Sequence, residues 1–245
     1  MTEDPYKDYF PETPPGKEAL SYAWKTAIGL QDVDGLKPSE YLIETANKNI
    51  AGEIDISQAQ DLVSSYYESK SQANSSDART EEADKVAARI AKLLQENGFS
   101  LSPQVLCGIH GQLFAGIYNH AGAFRKMNIS KKEWVLDGAT VIYGNAADIS
   151  KTLDYDIAPE RDFNYAGLDQ GEVVSHLARF VANLWQVHPF AEGNTRTVAV
   201  FFIKYLRSLG FAVENDLFEE NSWYFRNALV RANFNDLQNG VHETT

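Results

Sequence analysis

Ten consecutive residues, from His188 to Thr197, combine side chains that can handle a phosphate group: a histidine, a carboxylate, a glycine and an arginine. Apolar residues recur with helical spacing before the run, at 172–187, and after it, at 198–209. The run is therefore predicted to be a loop that ends one helix and begins the next. Free backbone N–H groups and the helix dipole would make the start of that second helix an anion-binding site.

Each polar residue of this loop has a chemical role that its type suggests. Gly193 has no Cβ and lets the backbone approach a phosphate closely, and Asn194 tolerates the same backbone conformation while offering side-chain N–H groups. Arg196 can fork onto phosphate oxygens. Glu192 would repel an anion unless a divalent cation lay between them, which predicts Mg²⁺ held by one carboxylate and substrate phosphates. His188 is the one side chain in the loop that readily takes a proton near neutral pH.

Together these residues predict transfer of a phosphate-containing group to a hydroxyl, with His188 as the base. Each residue also has a purely structural explanation. Pro189 could stop the helix, Phe190 could anchor the loop in the core, and Gly193 with Asn194 could form only a turn. One anion-binding loop accounts for all of them at once.

The run resembles the signature of the Fic (filamentation induced by cAMP) domain family, H-x-F-x-[D/E]-G-N-G-R-x-x-R. The matching positions are His188, Phe190, Glu192, Gly193, Asn194 and Arg196. The resemblance implies an all-α helical bundle with one small β-hairpin flap. It also implies transfer of AMP from ATP to a Ser, Thr or Tyr hydroxyl of a target protein, or of the protein itself. By that resemblance His188, Glu192 and Arg196 are catalytic, Glu192 binds Mg²⁺, Gly193 to Arg196 hold phosphates, and Phe190 pins the loop.

Two positions depart from the family pattern. Thr195 stands where the family usually has Gly, which narrows the phosphate cradle but keeps the backbone N–H. Ala199 stands where the family has a second Arg that holds the γ-phosphate. Losing such a contact is worth about 1.5–3 kcal/mol, or roughly 10- to 100-fold in affinity. A donor other than ATP, such as UTP, GTP or CDP-choline, is therefore an alternative, as is a nucleotide-binding module without turnover.

A β-hairpin is predicted within 127–144, because Asp137-Gly138 separates the apolar runs 134–136 and 139–143. In the resembled family this hairpin is a flap that covers the nucleotide and pairs with an extended segment of the target. The residues predicted to dock the target are Trp134, Val135, Val141 and Tyr143. Gly122 to Arg125 resembles the family's G-x-[YF]-R stretch, which extends the resemblance over roughly 100–240.

An aromatic-rich helix is predicted at 223–233. Helically spaced aromatics are usually part of a core, and that is the default interpretation. In Fic proteins this helix offers an aromatic residue and an Asn to the adenine. By spacing, Phe225 and Asn233 are the matching positions.

The chain divides into three predicted parts: an extended, proline-rich arm at 1–16, a helical segment at 17–70 and a catalytic domain at 78–245. A polar stretch at 71–77 is predicted to be the linker. Helices are predicted at about 17–31, 39–51, 57–69, 79–96 and 102–118, with Ser39, Ser57 and Ser102 as N-caps.

The 17–70 segment resembles the small antitoxin that represses some Fic proteins, here fused to the enzyme. The resemblance rests on the stretches 34–39 (Asp-Gly-Leu-Lys-Pro-Ser) and 50–54 (Ile-Ala-Gly-Glu-Ile). Family brakes carry [S/T]-x-x-x-E-[G/N], whose Glu pairs with the second signature Arg. The best-supported match has Leu30 for Ser/Thr and Asp34 for Glu, so Asp34 is the predicted inhibitory residue; Ser64 with Glu68 is a competing match without those flanking stretches. The alternative is that the segment only buries the domain's apolar flank.

Composition bounds the remaining possibilities. The net charge of −12 and the lack of a dense Lys/Arg cluster argue against nucleic acid and anionic membranes as partners. No stretch approaches the ~20 apolar residues of a membrane helix. A single Cys107 and no visible signal peptide favour a reducing cytoplasm. The expected partners are a nucleotide and a target protein, with homo-oligomers left open.

Overall fold

The computed structural model describes residues 15–70, 75–213, 218 and 221–236. Most of the predicted arm and the end of the chain lie outside the described residues. The described part is a helical bundle with one two-stranded hairpin, which confirms the predicted fold class. Its helices are α1 (Lys17–Gly29), α2 (Glu40–Ala51), α3 (Ile56–Ser69), α4 (Ser75–Gln95), α5 (Pro103–Phe114), α6 (Ile149–Arg161), α7 (Gln170–Val187), α8 (Asn194–Ser208) and α9 (Ser222–Ala232).

The helix starts follow from their caps. Ser39 accepts a hydrogen bond from the Leu42 N–H, as the sequence predicts for an N-cap. The prediction that Ser57 is an N-cap is wrong, because α3 begins one residue before it, at Ile56. Asp55 caps it and exchanges hydrogen bonds with Gln58 in a capping box. An Asp followed three residues later by Gln satisfies two orphan N–H groups, which outcompetes a lone serine.

The N-terminal helices pack directly on α4, so they share one hydrophobic core with the rest of the described chain. Asp84 of α4 is fully buried at this junction. Its carboxylate accepts hydrogen bonds from the backbone and hydroxyl of Ser39 and from the Tyr67 hydroxyl. A buried carboxylate is costly unless paired, and these donors satisfy it while they attach α2 and α3 to α4.

The hairpin differs in detail from its prediction. Its strands are β1 (Ser130–Lys132) and β2 (Thr140–Ile142), with Lys131 opposite Val141. The predicted strand at 134–136 is instead a 3₁₀ turn. Asp137 and Gly138 follow with positive φ, so the predicted turn residues do reverse the chain.

Helices α7 and α8 lie side by side and the predicted loop joins them, while α9 packs against α7. Among the described residues, every helix is too short or too polar to cross a bilayer. The sulfur of Cys107, half-buried on α5, donates to the Gly122 carbonyl at 3.2 Å.

Candidate active site

The loop between α7 and α8 is held by backbone conformations that few residues adopt. Helix α7 ends at Val187 and is followed by its C-cap, His188, whose φ of 47° lies in the left-handed region. That conformation is strained for a residue with a side chain and is found most often at functional sites. Gly193, with a φ of 74°, is the N-cap of α8, and the backbone N–H groups of the first turn that follows have no partner within the helix.

Arg125, the last residue of the Gly122–Arg125 stretch, holds this loop through hydrogen bonds to its backbone carbonyls. Its side chain is almost fully buried, and its backbone N–H donates to the Pro189 carbonyl at 2.8 Å. Its guanidinium donates to four more carbonyls, those of Met127, Gly144, Val187 and His188. One side chain therefore ties both ends of the hairpin to the end of α7.

His188 is oriented as a neutral base. Its Nδ1 lies 3.3 Å from the Trp185 carbonyl, which only accepts, so the proton sits on Nδ1 and Nε2 keeps its lone pair. The ring stacks on Tyr143 with centroids 3.8 Å apart and meets Trp185 edge-on at 5.1 Å. Burial lowers the pKa of His188 to about 3, so the imidazole is uncharged at neutral pH.

Phe190 anchors the loop by packing on His110, a residue that the sequence analysis did not single out. Phe190 is completely buried and stacks on His110 of α5, with centroids 3.8 Å apart. The Gly122 N–H donates to Nδ1 of His110, so Nε2 carries the proton and donates to the Glu192 carbonyl at 3.1 Å. Burial lowers the pKa of His110 to about 4, which keeps this tautomer at neutral pH. The sequence signal was a histidine on a predicted apolar helix, a weak cue on its own.

The side chain of Asn194 is committed to the loop itself. Its Oδ1 accepts from the Phe190 N–H and its Nδ2 donates to the Phe190 carbonyl, at 2.9 and 2.8 Å. The predicted use of this amide as a phosphate donor is therefore wrong, and only its backbone N–H, in the first turn of α8, is left to bind an anion. The arrangement locks the loop in the shape that the start of α8 requires.

Thr195, the first departure from the family pattern, makes a side-chain hydrogen bond that glycine could not make. Its Oγ1 accepts a hydrogen bond from the indole Nε1 of Trp185 at 3.0 Å, and both side chains are buried. Trp185 in turn borders His188 and Tyr143. The threonine hydroxyl thus supports the aromatic wall around the base.

Two adjoining cavities open at this loop. The His188 cavity, of about 240 Å³, is bordered by His188, Tyr143, Trp185, hairpin residues and 191–195. The Arg196 cavity, of about 840 Å³, lies between the 30–36 turn, α4, the hairpin and α9. The residues common to both are Asp34, Lys131, Glu192 and Arg226.

Glu192 is exposed and borders both cavities, so its carboxylate is accessible to a cation bound beside phosphates. One carboxylate together with phosphate oxygens and water is an ordinary ligand set for Mg²⁺. Among the described residues no group of three His, Cys, Asp or Glu side chains could hold a metal. A single exposed carboxylate is the ligand that Mg²⁺ would take from the protein if nucleotide phosphates and water supplied the others.

Arg196 is not open to a phosphate as the sequence predicted, because protein carboxylates occupy its guanidinium. The side chain is buried, its Nη2 donates to Glu82 at 2.7 Å, and its Nε lies 2.8 Å from Oδ2 of Asp34. The Asp34 contact is an ion pair rather than an aligned hydrogen bond, because Nε has no acceptor in hydrogen-bond geometry. Burial alone would lower the pKa of Arg196, but Asp34 and Glu82 outweigh it and raise the pKa. Gln31 and the ring of Phe114 complete its surroundings.

Two nucleotide-binding predictions on α9 are also corrected. Phe225 faces an apolar cavity of about 680 Å³ on the other side of α9, and Asn233 is buried with its amide donating to Ala182 and Leu229 carbonyls. The residues of α9 that border the Arg196 cavity are Trp223, Arg226 and Asn227. They lie three and four positions apart, which is one face of a helix.

The hairpin exposes different residues from those predicted to dock a target. Val141 and Tyr143 are buried and point inward, and Val135 is half-buried. Trp134 is 71% exposed, as predicted, and Ile142, between the two buried residues, is 73% exposed. The alternation of side chains along β2 decides which residues face outward.

Residues 100–206 match the model of the Fic/DOC family. The chain is also 28% identical over 155 residues to Protein adenylyltransferase VbhT of Bartonella schoenbuchensis. The aligned part covers 55% of this chain and 31% of that protein, so the chain spans under a third of the relative's length.

Proposed function

We propose that this chain, whose residues 100–206 are a Fic/DOC domain, is a protein adenylyltransferase that moves AMP from ATP to a Ser, Thr or Tyr hydroxyl. The observation that carries the proposal is the neutral imidazole of His188, with Nε2 free, beside the N-terminus of α8. The printed name of the matched relative describes the same activity for that protein.

In the proposed reaction the target hydroxyl oxygen attacks the α-phosphorus of ATP. A new O–P bond forms while the bond from the α-phosphorus to the bridging oxygen of the β-phosphate breaks, and pyrophosphate leaves. Nε2 of His188 takes the hydroxyl proton. Backbone N–H groups at the start of α8 stabilise charge on the phosphate oxygens. When bound, Mg²⁺ held by Glu192 would neutralise further phosphate charge.

The nucleobase is proposed to lie in the Arg196 cavity. Asn227 is buried there, and its Nδ2 lacks a hydrogen-bond partner. The partly exposed Trp134 and Trp223 border the same space and offer aromatic faces. An unpaired amide beside aromatic surface suits a flat, polar-edged ring.

The choice of donor depends on what stands at position 199. Ala199 is completely buried on α8, so no cation stands at the position that holds the γ-phosphate in the resembled family. There are therefore two alternatives to transfer of AMP from ATP. One is transfer from a different nucleotide or pyrophosphate-linked donor, and the other is a nucleotide-binding regulatory module without turnover.

Label transfer tests the proposal. Purified protein with Mg²⁺ would be incubated with α-labelled or γ-labelled ATP, and with α-labelled UTP, GTP or labelled CDP-choline, in the presence of a cell extract. Label is expected on protein from α-labelled ATP and not from γ-labelled ATP. Label only from another donor would replace ATP with that donor. If neither the unaltered protein nor the Asp34→Ala variant transferred label from any donor, the proposed transferase activity would be contradicted and the nucleotide-binding module favoured.

The target is proposed to dock on the hairpin by strand addition, with Trp134 and Ile142 as the exposed apolar contacts. Main-chain hydrogen bonds would align its hydroxyl with His188. Such recognition depends more on backbone than on side chains.

The 17–70 segment is proposed to act as a brake through Asp34. The family contact uses the second signature arginine, which is absent here, whereas Asp34 reaches the first, Arg196. While paired with Asp34, the guanidinium is less available to a phosphate. Asp34 remains 35% exposed, so competing ligands have access to the pair.

Replacing Asp34 with Ala is expected to increase label transfer about 10-fold or more, because Nε of Arg196 loses its carboxylate partner and becomes available for a charge-assisted phosphate contact, while Glu82 still holds Nη2. Initial rates of α-label transfer would be compared with those of the unaltered protein. Asp32→Ala is the matched control, since Asp32 borders the same cavity and has no ion pair with Arg196 in the described structure. Equal rates for all three proteins would contradict the proposed inhibition by Asp34. The 17–70 segment would then only bury the apolar flank of the domain.

A further inference from the structure

Tyr143 carries a polar atom that the described structure leaves without a partner. The side chain is 6% exposed, and its hydroxyl is buried with no hydrogen-bond acceptor or donor. A buried hydroxyl without a partner is costly, and native proteins rarely leave one unless a ligand completes it. Tyr143 is one of the residues that border the His188 cavity, so a ligand in this cavity is the candidate for the missing partner.

The surroundings of Tyr143 hold its ring in one place. Its ring stacks on His188, with an interplanar angle of 19°, and meets Trp185 edge-on at 5.5 Å. The charged groups that act on the hydroxyl are Glu133 and Arg226. Both Glu133 oxygens already accept from Nη2 of Arg226, at 2.9 and 2.8 Å. Because these two groups pair with each other, neither of them forms a hydrogen bond with the Tyr143 hydroxyl.

The cavity beside Tyr143 is suited to an anion. Lys131 and Arg226 border it together with the carboxylates of Asp34 and Glu192, and the N-terminus of α8 opens onto it at Gly193. Burial raises the pKa of Tyr143, so the phenol keeps its proton at neutral pH and acts as a donor. Asn227 leaves a second unpaired donor, Nδ2, in the adjoining Arg196 cavity. An unpaired donor in each cavity indicates a ligand that brings acceptor atoms to both, as a phosphate beside Tyr143 and a nucleobase beside Asn227 would.

We infer that Tyr143 is a substrate-binding residue whose hydroxyl donates a hydrogen bond to a phosphate oxygen of the nucleotide donor, beside His188. The inference rests on the proposed function for the identity of the donor. It reassigns a residue that the hairpin pattern predicted to face a target protein. The stacked ring keeps His188 in place, and the hydroxyl helps to fix the reacting phosphate within reach of Nε2.

The test is Tyr143→Phe, which removes only the hydroxyl and keeps the stacked ring. Without nucleotide, the melting temperature is expected to be unchanged or higher, because the lost hydroxyl had no partner. The dissociation constant for ATP with Mg²⁺, measured by calorimetry, is expected to rise about 10- to 100-fold. The kcat/KM for label transfer should fall by a similar factor.

Tyr165→Phe is the matched control, because the Tyr165 hydroxyl donates to Glu160, outside both cavities. This control is expected to lower the melting temperature while leaving ATP affinity unchanged. Equal ATP affinity and equal kcat/KM for Tyr143→Phe and the unaltered protein would overturn the inference. If no label is transferred but ATP affinity still falls in Tyr143→Phe, the inference stands and the proposed transferase activity fails.

Discussion

Replacing His188 with Ala is expected to lower kcat/KM for label transfer by about 10²- to 10⁴-fold, the usual contribution of a positioned general base. The physical reason is that Nε2 is the only unprotonated nitrogen of an imidazole held by Tyr143, Trp185 and the Trp185 carbonyl. Without it, the attacking hydroxyl must lose its proton to water. Initial rates with α-labelled ATP would measure the effect.

Because His188 has a positive φ, alanine would also strain the loop. His188→Asn is therefore a second variant, since asparagine tolerates the left-handed conformation but has no basic nitrogen. Both variants are expected to lose transfer, while ATP binding measured by calorimetry changes far less. Full activity in either variant would assign the proton transfer to another group. His176→Ala, altering a histidine that pairs with Glu160 outside the site, controls for loss of a histidine as such.

Gly193→Ala is the second change for which a large effect is expected. A Cβ at Gly193 would lie 2.4 Å from two ring carbons of Phe114, which is completely buried. Overpacking of this kind costs about 1–3 kcal/mol, in addition to about 1–2 kcal/mol for an alanine at positive φ. The loop must shift to relieve the contact, and a shift of about 1 Å in a catalytic group reduces rates about 10²-fold.

Gly167→Ala separates the two causes, because Gly167 also has a positive φ but its added Cβ would meet nothing within 4 Å. Urea denaturation is expected to show the larger loss of stability for Gly193→Ala, and label transfer should fall only in that variant. Adding Phe114→Leu to Gly193→Ala should restore part of the stability by making room. Equal stability losses in the two alanine variants would show that the Phe114 contact is relieved without consequence.

The helices and the chemical content of the loop were predictable because both are local. Helical spacing of apolar residues places α7 and α8 on either side of 188–193, and Ser39 and Ser102 cap their helices as predicted. Gly193 adopts the positive φ that its lack of a side chain permits. Asp137 and Gly138 reverse the hairpin because aspartate tolerates a positive φ and glycine adopts it freely. These features depend on residues that are neighbours along the chain.

The orientation of individual side chains was harder to predict. Phe225 and Asn233 were assigned to the nucleotide by spacing, but α9 turns Arg226 and Asn227 toward the cavity instead. A change of one position rotates a helical side chain by about 100°, so a small error in phase moves it to another face. In the hairpin, a shift of one residue exchanges the buried and exposed faces, and Tyr143 faces His188 rather than a target.

The sequence by itself determined the helical fold class, the loop between two helices and the set of reactive groups, because periodicity, capping and residue chemistry act over short distances. Only the tertiary structure decided which partners those groups have. Arg196 meets Gln31, 165 positions away, together with Asp34 and Glu82, and His110 holds the Glu192 carbonyl 82 positions away. Such pairs form only when helices far apart in the chain pack together, and no local pattern encodes which side chains then share a buried space.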